Sequence, residues 1–475
     1  MLNESYETVT VDIIIPVHNS EETIVETVKS ALTQRFPLNE EEKFGPNDDP
    51  GYYNFRVDLT ICCHNDGSTD NSLNLLHELE KELESKKATD NSRINCSLIV
   101  GTSHEASGAG VARNCAVSMS AGTYLAMLDS DDLMMPTRIV EQVAFMKSLT
   151  NQDQVLLGCA FQRDPPDSTW HYAQWANTLS PKRRMLERFR EVTVIQPTWM
   201  ITRRRFEQLG GYLDPSSCEK RDYSRGIYKL VCSTDTSETL RLAEDLRFFH
   251  AHLSYNSEGK LHLSSNYPSV SIGDGIIKFL PDSKIKPYDR TQTKDIKPQP
   301  RPLLVYKHTP NTSQSSKTPR KLLLQLRVKA FEDLVLTKDA IWSTHGFAIW
   351  GAGRDGKDFL KSLSSKVRPW VKCFVDVDPK KFGTYCNNDL GVSIPVLHFS
   401  ALASGTVEEH FAHVSKKRLT GQHKPTSKVV AVDESQSFTN LPVVVCVSMY
   451  RTHGALEKNV ETIQRTEGIN LWHFC

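Results

Sequence analysis

The chain has 475 residues, 39% of them hydrophobic and 24% charged, the balance of a globular protein with a large core and two or three domains. Lys plus Arg and Asp plus Glu both total 57, which excludes a global field for a polyanion, so any nucleic-acid contact has to come from a local patch. No apolar run approaches the roughly 18 residues of a membrane span, the first residues lack the basic and apolar regions of a signal sequence, and the 11 cysteines form no C-x-x-C pair; together these predict reduced thiols and a cytoplasmic protein.

Residues 11–19 read as an apolar strand, with Ile13, Ile14 and Ile15, that stops at Pro16 and leads into His18 and Asn19. Helical spacing follows over 21–32, with Ile24, Val28, Ala31 and Leu32 on one face. A second strand over 57–63 runs into Asn65, Asp66, Gly67, Ser68, Thr69 and Asp70, and a helix begins near Ser72. A third strand over 97–100 precedes Gly108, Gly110, Arg113 and Asn114 and another helix. The fourth, 122–127, ends in Asp129, Ser130, Asp131 and Asp132. Strands alternating with helices predict an α/β fold with a mostly parallel sheet covered on both faces. Ligands of such sheets sit at the carboxyl ends of the strands. His18, Asn19, Asp66, Arg113 and Asp129 all fall at those ends or in the loops and helix starts that follow.

Three carboxylates at one strand end repel each other, and a cation normally offsets that cost. Oxygen ligands on a short loop suit Mg²⁺ or Mn²⁺; the plain alternative is a solvated Asp turn or a helix cap. Downstream, Asp245 follows Glu244 and opens the apolar run of Leu246, Phe248 and Phe249. A carboxylate beside apolar groups is a better proton acceptor near neutral pH, although an acidic pair also suits the first turn of any helix. Trp199 and Trp175 are candidates to stack on a sugar or base, or simply to fill the core. Basic runs at 182–184, 203–205 and 320–321 either neutralise RNA phosphates or form solvated faces. Cys62 and Cys63, inside a strand, read as core packing.

Polar insertions interrupt this pattern at 38–54, 214–237, 281–302 and 406–437. Helical spacing returns over 321–336, and a second domain starts near His345. There a strand over 347–350 leads into Gly351, Gly353 and Gly356, and a strand over 371–375 ends at Asp376, twenty residues after Gly356. That is the spacing of a dinucleotide fingerprint. The same glycines also serve a tight turn and helix–sheet packing, so a structural or acceptor-binding role is preferred over a bound nucleotide.

The successive motifs at 16–19, 65–70, 108–114 and 129–132 resemble those of family 2 glycosyltransferases with a GT-A fold, over about residues 10–330. Residues 242–249 are similar to their catalytic-base segment, and Tyr306, Lys307 and His308 to their late metal-binding segment. The resemblance implies a GT-A domain over 10–335 and leaves a Rossmann-like domain over 345–475. It implies an inverting transfer from a UDP-sugar that depends on Mn²⁺ or Mg²⁺. Asp131 and His308 would hold the metal, and Asp245 would be the general base. Asp66 would face the uracil with Pro16, His18 and Asn19 beside it, Arg113 would lie near the base or the phosphates, and Asp129 near the ribose or the ion. Trp199 and Glu244 would lie on the acceptor side. Residues 197–200, before the base segment, and 347–353, in the appended domain, add a closer resemblance to tRNA-modifying glycosyltransferases, which implies UDP-galactose as donor and the queuosine of a tRNA anticodon as acceptor. Other readings are a protein, lipid or glycan acceptor, or a nucleotide-binding module without catalysis. Two departures bear on the nucleotide contacts: His18 stands where Tyr is common, and Asn65 replaces the usual first Asp of its pair.

Overall fold

The computed structural model describes residues 6–44, 52–86, 93–216, 235–236, 238–255, 275–281, 300–307, 318–404, 438–447 and 454–474. Of the polar insertions, 406–437 lies wholly outside the described residues, and 38–54, 214–237 and 281–302 lie partly outside them. Two compact units form, the first from Met1–Met185, Val192–Gly259 and Gly273–Pro319, the second mainly from Arg320–Cys475 with the short segment Leu186–Glu191.

The first unit is built on β1 (Glu7–Val17), β2 (Phe55–Asp66), β3 (Ile94–Ser103) and β4 (Tyr124–Met127). These pair in parallel in the order β3-β2-β1-β4. Three helices alternate with them: α1 (Ile24–Leu32), α2 (Ser72–Lys86) and α3 (Ala109–Ser118). From Val11 to Val17 every residue of β1 is buried, as expected of a central parallel strand covered on both faces, whose sequence is a continuous apolar run rather than an alternation.

Further strands are β5 (Leu133–Met134), β6 (Val155–Gly158), β7 (Phe161–Asp164), β8 (Met200–Thr202), β9 (Ile276–Phe279) and β10 (Leu304–Lys307). β8 joins β4 antiparallel and continues the sheet through β6 to β9, so the seven-stranded sheet is mixed. β5, β10 and β7 form a small sheet of their own. The start of β4 is fixed by a buried charge. Asp12 Oδ2 accepts from Arg203 Nη2 at 2.7 Å, Ser120 Oγ at 2.6 Å and Gly122 N at 2.7 Å. A Cβ at Gly122 would lie 2.5 Å from Asp12 Oδ1, so only glycine lets the turn close on that carboxylate.

The second unit has a six-stranded sheet: β11 (Phe347–Trp350), β12 (Val371–Asp376), β13 (Gly383–Asn387), β14 (Val392–His398), β15 (Val443–Val445) and β16 (Leu471–His473), in the order β13-β14-β12-β11-β15-β16. Only the edge strand β13 runs antiparallel. The helix Arg320–Phe331, which the sequence placed at the end of the first domain, belongs to this second unit. The reason is aromatic packing: the Phe331 ring meets Phe189 at 5.0 Å, Trp472 at 5.9 Å and Phe474 at 5.6 Å between centroids. The boundary therefore falls at Arg320 rather than between 335 and 345.

Candidate active site

Beyond β4 the chain turns sharply through 129–132, with Asp132 N donating to Asp129 O at 3.2 Å. The turn that leads into α1, and the first turn of α1 itself, grip this loop from one side. Ser130 O accepts from Thr23 Oγ1 at 2.9 Å and Thr27 Oγ1 at 3.0 Å, and Ser130 Oγ lies 2.8 Å from Ser20 Oγ. β10 holds it from the other: Lys307 N donates to Asp132 Oδ1 at 3.0 Å. Asp132 is fully buried, and its Oδ2 has no partner among the described residues. Burial, with the charges of Asp129 and Asp131 beside it, pushes its pKa well above the carboxylate range. Asp131 sits half-buried between them.

One buried cation joins this loop to a distant helix. Arg113, on α3 and 3% exposed, donates from Nη2 to Asp129 Oδ1 at 2.6 Å and from Nη1 to Glu244 Oε1 at 3.0 Å. Burial opposes its charge, but Asp129 and Glu244 outweigh that cost and its pKa is raised. Glu244 and Asp245 open the helix Glu244–Ser254, so Asp245 is brought to the same end of the sheet as the acidic loop. Asp245 is half-buried, with Leu246 N 2.7 Å from its Oδ1. Ala243, immediately before, is left-handed at φ 54°, a costly conformation for a residue with a Cβ that turns the chain into this helix.

The ends of β1 and β2 complete the rim. His18 is exposed and its Nδ1 lies 2.7 Å from Asp66 O. Asn19, left-handed at φ 49°, accepts from Thr69 N on Oδ1 at 2.9 Å, and its backbone N donates to Ser68 Oγ at 2.9 Å. Asp66 is buried and receives the amides of Ser107 at 2.9 Å and Gly108 at 2.8 Å, which pins the start of α3. Pro16 is buried in β1 opposite His64.

Three assignments change. Trp199 is fully buried, donates its indole N–H to Val194 O at 2.8 Å and packs 5.8 Å from Phe248, so it is core and not an acceptor platform. Glu244 is held by Arg113 rather than presented to an acceptor. Arg113 in turn is spent on two carboxylates and is not open to a base or phosphate. His308 lies outside the described residues. Cys62 and Cys63 are buried, and burial pushes the Cys62 thiol up to about 12, which suits packing and not nucleophilic chemistry. Ser20, Thr23 and Thr27, which brace the acidic loop, went unread in the sequence, though their spacing of three and four is that of a turn leading into a helix.

Among the described residues, no group of three or more His, Cys, Asp and Glu side chains forms a metal cluster. The acidic loop nonetheless fits a hard divalent cation: it crowds Asp129, Asp131 and Asp132, and one buried carboxylate oxygen there lacks a donor.

The glycine loop of the second unit is finished differently. Gly351 is left-handed at φ 111°, and a Cβ at Gly356 would lie 1.9 Å from Gly351 O. Gly353 has ordinary extended geometry, and the nearest atom to a Cβ there is Lys381 Nζ at 4.0 Å. Asp376 Oδ2 accepts from Ala352 N at 2.8 Å and Lys381 Nζ at 2.9 Å, and its Oδ1 accepts from Asp378 N at 3.0 Å. The carboxylate expected to meet a ribose is committed to the protein.

Residues 12–210 match the model of the family described as Glycosyl transferase family 2. The first unit is accordingly a GT-A domain with a mostly parallel, mixed sheet. A UDP-Glc:alpha-D-GlcNAc-diphosphoundecaprenol beta-1,3-glucosyltransferase, WfaP of Escherichia coli, is 31% identical over 138 residues, which are 29% of this chain and 41% of that protein. A poly(ribitol-phosphate) beta-glucosyltransferase of Bacillus spizizenii is 28% identical over 148 residues, 31% of this chain and 18% of that one. The chain thus spans less than half the length of these relatives. Among solved structures, S. aureus TarS 1–349 in complex with UDP is 14% identical, with a TM-score of 0.37 over 76% of this chain and 83% of that one. No helix among the described residues is long and apolar enough to cross a membrane.

Proposed function

We propose that this chain, whose residues 12–210 form a family 2 glycosyltransferase domain, transfers a hexosyl group from a UDP-sugar to a hydroxyl of a saccharide-bearing acceptor. The observation that carries this reading is the double bridge of Arg113, which draws the acidic loop and the Glu244–Asp245 turn to one strand end although 131 residues separate Arg113 from Glu244. A donor-binding loop and a base then share one site, which a nucleotide-binding module without catalysis would not need.

In this reading Pro16, His18, Asn19 and Asp66 line the uracil end, and Asp129 lies toward the ribose. Asp131, with Asp129 and His308, would hold Mn²⁺ or Mg²⁺, which when bound supplies positive charge to a departing diphosphate. Asp245 accepts the proton of the acceptor hydroxyl as that oxygen attacks the anomeric carbon. Attack opposite the leaving group inverts the configuration, so an α-linked donor gives a β-glycoside. Arg113 touches neither reactant; it positions Asp129 and, through Glu244, the turn that carries Asp245.

The relatives' names support a sugar or polyol hydroxyl as acceptor: they specify a diphosphoundecaprenol-linked GlcNAc and a poly(ribitol phosphate). A second reading, transfer of galactose from UDP-galactose to queuosine in tRNA in the cytoplasm, is carried by the motifs at 197–200 and 347–353. The experiment is a donor panel with Mn²⁺, scored first by UDP release without acceptor and then by transfer to lipid-linked saccharide, glycan and queuosine-containing tRNA. UDP release from no UDP-sugar would end the enzyme reading. Labelling of tRNA alone would replace the saccharide acceptor with the second reading.

A further inference from the structure

Arg163 lies in β7, in register with Tyr306 of β10. Its guanidinium rests 4.0 Å from the centroid of the Tyr306 ring and 5.8 Å from that of Phe161. The next residue after Tyr306 is Lys307, whose N–H anchors Asp132. Arg163 is therefore held, by stacking, against the strand that braces the acidic loop.

The other cations near the loop are each tied down by at least one bond to the protein: fully buried Arg138 donates from Nε to Gln142 Oε1 and from Nη2 to Met127 O, leaving Nη1 without an acceptor. Arg113 is divided between Asp129 and Glu244. Lys307 Nζ pairs with Glu26 at 2.5 Å. Arg163 differs: among the described residues it has neither a hydrogen-bond acceptor nor an ion-pair partner, and its Nε is shielded from solvent without one. Contact with the Tyr306 ring holds the guanidinium in place yet uses none of its five N–H donors. Nor does the loop beside it take those donors, since no carboxylate of 129–132 bonds to it. An unspent planar fork suits the paired oxygens of a phosphate or a carboxylate, and beside a nucleotide-sugar site the paired oxygens on offer are those of the diphosphate.

We propose that Arg163 binds the diphosphate of the nucleotide donor, a positive group beside the acidic loop that the resemblance and the relatives do not assign. The inference rests on the glycosyltransferase reading above. It is a binding residue whose charge is directed at the phosphates and not at the uridine.

The test compares UDP with uridine by titration calorimetry in Mn²⁺, on the full chain. R163A should weaken UDP about tenfold or more, the effect of losing a charged hydrogen-bond pair, and leave uridine affinity unchanged. R163K should recover part of the UDP affinity. R163Q keeps the planar stack and loses the charge, and should behave like R163A; it carries the test if R163A fails to fold. Equal weakening of UDP and uridine would overturn the inference in favour of a packing role. Unchanged UDP binding with a raised KM for acceptor would also overturn it, placing Arg163 on an acceptor phosphate. Wild-type protein that binds no UDP would remove the glycosyltransferase reading and this site together, whereas wild-type binding with an indifferent R163A sinks the Arg163 role alone.

Discussion

At the carboxyl end of β12, Asp376 accepts two backbone amides and the Lys381 ammonium, and the site is internally complete. At the carboxyl end of β4, three acids crowd one turn, Asp132 keeps an oxygen without a donor, and the stacked Arg163 keeps its donors without an acceptor. Both ends belong to mostly parallel sheets, and both carry motifs that look like ligand loops. The difference is in the hydrogen-bond balance. A loop whose polar groups are satisfied by the protein gains little from a ligand, whereas one that leaves a buried carboxylate oxygen and a nearby guanidinium without hydrogen-bond partners is organised for something that is not protein.

The largest effects should come from the first end. Asp245→Asn should lower transfer by roughly 10²–10⁴-fold with UDP binding kept, the range for a positioned base; loss of UDP affinity with kcat unchanged would make Asp245 a binding residue instead. Asp131→Asn should abolish metal-dependent turnover without loss of melting temperature, because it relieves repulsion in the loop. Near-normal turnover would remove Asp131 from the donor site. Arg113→Ala leaves the half-buried Asp129 and Glu244 without the buried cation they share. It should cost about 3–5 kcal/mol in urea unfolding as well as activity, and a purely catalytic loss with full stability would contradict its positioning role.

At the second end the predictions concern the backbone. Gly356→Ala would force a Cβ to 1.9 Å from Gly351 O and should destabilise the second unit, by about 1–3 kcal/mol as overpacking does. Gly353→Ala meets open space and should stay within about 0.5 kcal/mol. If Gly353→Ala instead abolished activity with the fold intact, the loop would be a working site and the comparison would fail.

Uncompensated acid in the first unit is not confined to the loop. Glu141, fully buried, is pushed up to about 7 by burial, against the opposing hydrogen bond from Tyr53 at 2.8 Å. An acid whose folded pKa is raised contributes most below its unfolded value. Stability from this group should therefore fall as pH rises from about 4.5 to about 7 and stay low above that, by on the order of 3 kcal/mol. Glu141→Gln should flatten unfolding free energy against pH across that window. An unchanged slope would show that another group sets it.

Much of the first unit was legible because parallel strands buried on both faces write themselves as apolar runs, as in β1, and their ends are marked by the polar residues that follow. The Asp129–Asp132 turn and the Glu244–Asp245 pair were readable as motifs for the same reason. What the sequence hid was the allocation of each polar group. Nothing in a linear pattern says that Arg113 is shared by two distant acids, that Trp199 turns inward, or that Asp376 closes on Lys381. Arg163 is isolated in sequence, with no motif around it, and becomes visible only when β7 lies beside β10. The domain boundary was misplaced because a helical period cannot show which core receives its apolar face.

The short segment Leu186–Glu191 carries a consequence for the order in which the chain acquires its structure on the ribosome. Phe189 packs 5.6 Å from Trp472 and Arg188 lies 5.1 Å from the same ring, inside the second unit. Their partner is made only after the whole of the first unit. The second unit therefore cannot finish folding until β16 has been made, while its first contribution has waited since the middle of the first unit was made. A nascent chain stalled before β16 would leave Phe189 uncovered, and a fragment cut at Pro319 would do so permanently.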